Sequence, residues 1–156
     1  MSAIVIFATK HGTTADVAAR VAEGLGPDTA LVNLADSTPN LTAYDTVVIG
    51  TPIYAGAPRK EVSRLCQSSV LPSKKLGLFC VGLVINDDER VKEIADAFPE
   101  HLREIAVAKE FMGGRVKLAE LGTFERLIVK KAAKISQDTD TVSEEAIAEF
   151  VAALKE

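Results

Sequence analysis

A short loop rich in hydroxyl side chains, Thr9-Lys10-His11-Gly12-Thr13-Thr14, lies between an apolar segment and an amphipathic one. Its glycine can adopt a positive φ angle, which allows neighbouring backbone N–H groups to converge. The threonines add hydroxyl donors, and a helix that begins directly behind them presents the positive end of its dipole. This combination can bind an anion such as a phosphate group. An ordinary turn between a strand and a helix, capped by threonine, accounts for the same residues.

A second loop, Thr51-Pro52-Ile53-Tyr54-Ala55-Gly56, follows another apolar run. Small residues surround Tyr54, so the backbone can approach a flat ligand while the phenol ring covers its face. Because the chain has only two tyrosines and no tryptophan, we interpret this aromatic side chain as facing a ligand. The alternative is that it packs against the next helix.

Other motifs that carry chemistry are missing from the sequence. The chain has no Gly-Lys-Ser or Gly-Lys-Thr triplet, which a phosphate-binding P-loop requires. A dinucleotide fingerprint is excluded because the third glycine after Gly24-Leu25-Gly26 is replaced by Thr29. Cys66 and Cys80 fit neither a disulfide framework nor a zinc pattern, and we interpret them as structural thiols. We therefore assign no catalytic side chain and no metal ligand.

Alternating strands and helices must position the two loops. Apolar runs predict strands over 3–8, 30–34, 46–50, 76–83 and 106–112, and amphipathic or capped segments predict helices over 14–25, 58–69, 86–97 and from 143 onward. This alternation indicates an α/β fold with a parallel sheet covered on both faces. Five strands fit the order 2-1-3-4-5, in which a ligand crevice opens beyond strands 1 and 3. The two loops follow these two strands.

Length and composition restrict the class of protein. The chain has 156 residues, 47% hydrophobic and 26% charged, which predicts one globular domain over 1–156. A net charge of −4 argues against a nucleic-acid partner, whose phosphates would require a basic face. The first apolar stretch is not preceded by the basic residues of a signal peptide, and no apolar run is long enough to cross a bilayer. We expect a cytoplasmic protein.

Together the two loops resemble the flavin-binding loops of flavodoxins, and the resemblance extends over nearly the whole chain. Thr9-x-x-Gly12-x-Thr14 is similar to their FMN phosphate loop, and residues 51–56 are similar to their second flavin loop. The third loop should follow strand 4, around 82–86. The resemblance implies a flavodoxin-like three-layer sandwich with FMN as cofactor. The residues that it assigns to FMN are Thr9, Lys10, His11, Gly12, Thr13, Thr14, Thr51, Pro52, Ile53, Tyr54, Ala55, Gly56, Leu83, Val84 and Asn86.

The segment 115–141 resembles the insert of menaquinone-dependent protoporphyrinogen IX dehydrogenases, in Phe124-Glu125-Arg126 and in Lys134-Ile135-Ser136-x-x-x-Asp140-Thr141. This resemblance implies a quinone as electron acceptor and a tetrapyrrole as substrate. Six basic and two acidic residues give positions 115–134 a net charge of +4. A helical projection places one set of residues on an apolar face: Phe124, Leu127, Ile128, Ala132 and Ile135.

Such a basic amphipathic helix can lie on an anionic membrane through residues 124–135, or cover a quinone or tetrapyrrole site. A solvated helix that covers the sheet edge is the alternative. We expect this segment to choose partners and to leave flavin binding unaffected.

Three functions follow from these resemblances. The first is an FMN oxidoreductase resembling the quinone-coupled protoporphyrinogen dehydrogenases. The second is a soluble flavodoxin-type electron carrier that docks on redox partner proteins through its acidic surface. The third is an interaction module of the same fold that has lost FMN. The third is kept because His11 stands where the family's phosphate loop usually has a hydroxyl residue.

Overall fold

A computed structural model describes residues 2–53, 57–132 and 135–156. Within these ranges strands and helices alternate, as the apolar runs predict. In chain order the elements are β1 Ala3–Phe7, α1 Thr13–Leu25, β2 Ala30–Asn33, β3 Thr46–Pro52, α2 Lys60–Leu65, β4 Lys75–Val81, α3 Asp87–Ala97, α4 Glu100–Ile105, β5 Ala108–Phe111, β6 Arg115–Val116, α5 Thr123–Ala132, β7 Thr139–Asp140 and α6 Glu144–Lys155. Short 3-10 turns cover Leu41–Ala43, Leu71–Ser73 and Leu118–Glu120.

Five strands form one parallel sheet in the order β2-β1-β3-β4-β5. The predicted fold class and strand order are therefore confirmed. Strand β1 is buried along its whole length, and β3 is buried from Thr46 to Thr51, because helices cover both faces of the sheet. The insert adds a separate antiparallel pair, β6 with β7.

Alternate residues of each strand enter two different cores, since successive side chains of a strand point to opposite faces. On one face Val5 and Phe7 pack with residues of α1 and α6, including Phe150. On the other face Ile4 and Ile6 pack with residues of α2 and α4. The result is three layers, with the helices α1 and α6 on one side of the sheet.

The helix boundaries differ from the sequence prediction on the second core face. Helix α2 begins at Lys60, two residues after Pro58, and ends at Leu65 instead of continuing to 69. It ends early because the N–H groups of Gln67 and Ser68 donate to carbonyl groups three residues back, which tightens the chain into a turn. Helix α4 was not predicted, because the segment 100–103 is polar apart from one leucine. That leucine, Leu102, is fully buried and holds the helix against the core.

The centre of the sheet leaves no room for a side chain at Gly50. This glycine is paired with Phe79 on the neighbouring strand β4. A Cβ atom at position 50 would overlap the Phe79 ring. The ring itself is fully buried and packs edge-on against Phe150, with 5.8 Å between the ring centroids. The absence of a side chain at position 50 therefore leaves room for the Phe79 ring over this part of the sheet.

We predict that Gly50→Ala lowers the free energy of unfolding by about 1–3 kcal/mol, the usual effect of overpacking a core. In an unstrained strand the same change would raise stability, since glycine weakens strands. Urea denaturation measures the difference. The control is the Phe79→Leu background, in which a smaller side chain removes the overlap and the loss should be clearly smaller. An equal loss in both backgrounds would show that the ring is not the cause.

Candidate functional site

A cavity of about 420 Å³ opens at the carboxyl ends of β1, β3 and β4, in the size range of small-molecule sites. It lies at the point where the winding of the sheet reverses, between β1 and β3. Its walls come from the loops after β1 and β4, the end of β3, helix α3 and the insert. The residues that line it are Thr9, Lys10, His11, Thr13, Thr14, Pro52, Ile53, Val81, Gly82, Leu83, Val84, Glu89, Lys92, Glu93, Asp96, Gly114, Arg115, Val116, Leu121, Ile128 and Val129.

The loop after β1 holds the first turn of α1 open toward the cavity. Gly12 precedes the helix with φ +91°, and its N–H donates to Thr9 Oγ1 at 3.0 Å. Its carbonyl accepts the first helical bond, from the N–H of Asp16. The amide groups of the first turn have no carbonyl partner within the helix. Because the residue before the helix carries no side chain to cap them, an anion can approach these groups.

Helix α5 lies against this loop, although the two segments are far apart in the sequence. Glu125 Oε2 lies 2.7 Å from His11 Nε2 and 3.6 Å from Lys10 Nζ. Behind this contact Val116, Leu121 and Val129 form a small buried cluster. The insert is therefore one wall of the cavity. A smaller cavity of about 190 Å³ separates the same loop, including Gly12, from the start of the insert.

The predicted apolar face of α5 is in large part turned to solvent. Phe124 is 74% exposed and Leu127 is 51% exposed, whereas Val129 is buried and Ile128 is partly buried. The helix turns this way because Glu125 is held by two cationic side chains and Val129, one turn later, packs into the cluster on the same side. The more hydrophobic stripe consequently faces outward.

The loop after β3 reaches the cavity only in part within the described residues. Pro52 and Ile53 line it. Thr51 is fully buried and does not, because its hydroxyl donates to the Pro52 carbonyl and accepts from the Arg59 N–H at 3.2 Å. The predicted ligand-facing residues Tyr54, Ala55 and Gly56 lie outside the described residues. The role of the tyrosine ring stays a prediction.

The loop after β4 contributes Leu83 and Val84 to the cavity. Asn86 is not among the lining residues, because its Oδ1 accepts from the N–H groups of Asp88 and Glu89 and caps α3. Arg90 fixes the loop. Its Nε donates to the Val84 carbonyl at 2.8 Å, and its guanidinium group lies 4.7 Å from the centre of the Phe111 ring.

Sequence reasoning missed the face that α3 presents to the cavity. Glu89, Lys92, Glu93 and Asp96 line it. Burial, with the nearby charge of Glu89 as the next cause, raises the pKa of Glu93. Its Oε2 is buried and has no hydrogen-bond partner among the residues that the structure describes. The spacing of these residues places them on one helix face. Because a polar helix face is ordinarily solvated, this pattern does not by itself predict a binding site.

Arg115 is the second residue that sequence reasoning missed at the cavity. Its guanidinium group donates to Asp140 at 3.0 Å and to Asp16 at 3.3 Å, which ties the β6–β7 pair to the first turn of α1. This contact lowers the pKa of Asp140. The Thr13 hydroxyl lies 3.5 Å from the Arg115 carbonyl oxygen. The loop after β1 is therefore braced from the insert by two separate contacts.

The two cysteines lie in the core and not at the cavity. Both are buried, and burial raises the pKa of the Cys66 thiol to about 12 and that of Cys80 further. Thiols in such surroundings are unreactive, in keeping with the structural role predicted for them. Within residues 2–53, 57–132 and 135–156 no cluster of His, Cys, Asp and Glu could hold a metal ion. None of the helices described is long and apolar enough to cross a membrane.

We predict that Glu93→Gln stabilises the protein at neutral pH and not in acid. A carboxyl group whose pKa is raised on folding supports the folded state below its unfolded pKa, and this contribution is lost as the pH rises through its folded pKa. The neutral amide has no such loss. Thermal unfolding at about pH 4 and pH 7.5 should show the variant gaining in melting temperature only at the higher pH. The control is Glu104→Gln, at an exposed position of α4. An equal gain of Glu93→Gln at both pH values would contradict the prediction.

Comparison with known proteins agrees with this geometry. Residues 4–143 match the sequence profile of the flavodoxin domain. Oxidised Flavodoxin 1 from Bacillus cereus is 17% identical, with 99% of this chain and 97% of that one covered and a TM-score of 0.59. A Fusobacterium nucleatum flavodoxin bound to flavin mononucleotide is 15% identical over 99% of this chain and 98% of that one, with a TM-score of 0.55.

A WrbA-like flavodoxin from Agrobacterium tumefaciens is 18% identical over 99% of this chain and 97% of that one, with a TM-score of 0.52. No curated protein matches the chain. The similarity to solved structures is one of fold, whereas the profile match covers most of the sequence. On that match, this chain belongs to the flavodoxin domain family.

Proposed function

We propose that this protein is an FMN-binding redox protein. The observation that carries the proposal is the cavity at the switch point of the sheet, with an open helix N-terminus at one side and apolar walls beside it. Membership of the flavodoxin domain family supports FMN as the cofactor, as does the FMN bound to the similar flavodoxin from Fusobacterium nucleatum.

The residues present fit this cofactor. FMN carries a phosphate group on a flexible polyol chain and a flat, largely apolar ring system. Thr9, Thr13 and the first amide groups of α1 would hold the phosphate group. The apolar side chains of Ile53, Leu83 and Val84 would contact the ring. The cavity thus offers hydrogen-bond donors at one end and an apolar surface for the remainder.

When bound, FMN supplies the electron transfer, and the protein supplies binding, orientation and electrostatics. The described residues do this in three ways. Arg90 holds the loop after β4 in place through the Val84 carbonyl. The buried cluster behind α5, which includes Val129, keeps water from one side of the cavity. Arg115 fixes the phosphate loop relative to the insert.

As the finer function we propose a quinone-coupled oxidoreductase that resembles the protoporphyrinogen IX dehydrogenases. The insert supports it, because α5 borders the cavity and exposes Phe124 and Leu127 beside Lys130 and Lys131. An apolar stripe flanked by lysines suits an anionic membrane surface, in which quinones dissolve. The second candidate is a soluble carrier, favoured by the acidic remainder of the chain, which has a net charge of −8 outside positions 115–134.

The cofactor is tested by titrating the protein with FMN, riboflavin and FAD. We expect FMN to bind most tightly, because the site has one anion-binding loop. Glu125→Gln should tighten FMN roughly 2- to 5-fold, the worth of an exposed ion pair, since the carboxylate competes with phosphate for His11 and Lys10. Riboflavin, which has no phosphate group, should bind the variant and the wild type equally.

Glu145→Gln is the control. It makes the same change of charge at an exposed position of α6 and should leave all three affinities unchanged. Equal binding of riboflavin and FMN by the wild type would contradict the role of the loop after β1. Failure to bind any flavin would leave the interaction module as the function of this fold.

The choice between oxidoreductase and carrier is tested with vesicles that contain anionic lipid. Replacing Lys130 and Lys131 with Gln should weaken co-sedimentation at low salt, because each basic residue near such a surface contributes about 1 kcal/mol. The FMN absorbance spectrum should not change. A control variant with Gln at Lys60 and Lys109, both exposed and outside the insert, should bind vesicles as the wild type does. If the wild type ignores the vesicles, the soluble carrier is the better proposal.

A further inference from the structure

The carboxyl group of Glu93 lines the cavity, and no described residue gives its Oε2 a hydrogen bond. We propose that Glu93 recognises the imide edge of the flavin ring, the C=O, N–H, C=O face of its pyrimidine portion. The inference rests on the proposed function and goes beyond it, because it assigns the selection of the ring to one side chain of α3.

The first support is the missing partner. Glu93 lines the cavity, and its Oε2 is buried without a hydrogen bond from any described residue. Buried polar atoms in native proteins are nearly always paired, so an exception beside a cavity indicates a ligand that supplies the partner. The same oxygen would lie 3.3 Å from a Cβ atom built on Gly82, which places it against the end of β4.

The neighbouring charges are engaged elsewhere. Lys92 Nζ lies 2.6 Å from Asp96, and Arg90 is bound to the Val84 carbonyl and stacked on Phe111. Glu89 gives Glu93 Oε2 no hydrogen bond. Burial and the charge of Glu89 raise the pKa of Glu93, so a ligand that bonds to the protonated form has less free energy to supply for the protonation. A neutral carboxyl group offers one donor and one acceptor side by side.

This pair of groups defines the chemistry of its partner. A cyclic imide or lactam presents an N–H donor next to a carbonyl acceptor, and it meets a carboxylic acid through two parallel hydrogen bonds. The isoalloxazine ring carries such an edge at the end remote from the polyol phosphate. An aliphatic or purely aromatic ring has none. The side chain therefore selects a flavin over flat molecules of similar size that lack such an edge.

The position of Glu93 in the fold agrees with the length of such a ligand. The anion-binding loop follows β1, whereas Glu93 lies beside the end of β4. Strand β3 lies between these two strands in the sheet. Neighbouring strands are about 4.8 Å apart, so the two polar sites are separated by about 10 Å across the sheet. One elongated molecule can therefore reach both with its two polar ends.

The test compares FMN with N3-methyl-FMN, in which the imide N–H is blocked and the phosphate group is intact. Wild-type protein should bind FMN at least tenfold more tightly than the methylated analogue. Glu93→Leu should bind both with similar affinity. Glu104→Leu removes an exposed carboxylate of α4 that does not line the cavity and should keep the wild-type preference. A second measurement uses FMN labelled with ¹⁵N, whose N3–H proton resonance should move upfield in Glu93→Ala, which has no side-chain acceptor, relative to the wild type.

The outcomes separate this inference from the function on which it rests. If the wild type binds neither compound, the FMN site itself is wrong, and the role of Glu93 falls with it. If FMN binds but the methylated analogue binds equally well, only the role of Glu93 is overturned. The same holds if Glu93→Leu keeps the preference. If that variant does not fold, an unchanged N3–H resonance in Glu93→Ala would still overturn the proposal.

Discussion

The parallel pairing of β1 with β3 is the contact on which the cavity depends. It runs from Ala3 beside Thr46 to Phe7 beside Gly50, and both strands are buried on both faces along this stretch. Because the chain leaves β1 toward one face of the sheet and β3 toward the other, their loops separate at the carboxyl ends and a crevice remains. Phe79 of β4 occupies the space over Gly50, near the carboxyl end of β3.

Local sequence signals predict the parts of the fold that local physics decides. Continuous apolar runs predicted the five strands, since strands covered on both faces lack polar alternation, and their alternation with helices fitted the order that the structure shows. Capping residues marked helix starts correctly, because Asn86 and Ser143 accept hydrogen bonds from the first turns of α3 and α6. Helix α4 was not predicted, because only one leucine of a polar segment packs it against the core.

Long-range contacts decided what the sequence did not predict. The insert carries two candidate stripes, and periodicity cannot tell which one is buried. The choice depends on Glu125, which is 114 positions from its partner His11. The place of Glu93 at the cavity was not predicted, for a related reason. A glutamate on a polar helix face is usually solvated, and only the position of α3 over the end of β4 takes its oxygen out of water.

The charges around the cavity indicate how an acidic chain can receive an anionic ligand. The basic side chains in and beside the loop after β1 lie against carboxylates, His11 and Lys10 against Glu125 and Arg115 against Asp16 and Asp140. A phosphate group at this site would therefore gain little from net charge. It would depend on donors that carry no formal charge, the first amide groups of α1 and the threonine hydroxyls. Attraction between such dipoles and an anion is short-ranged and only weakly screened by salt, so the site selects by geometry more than by field.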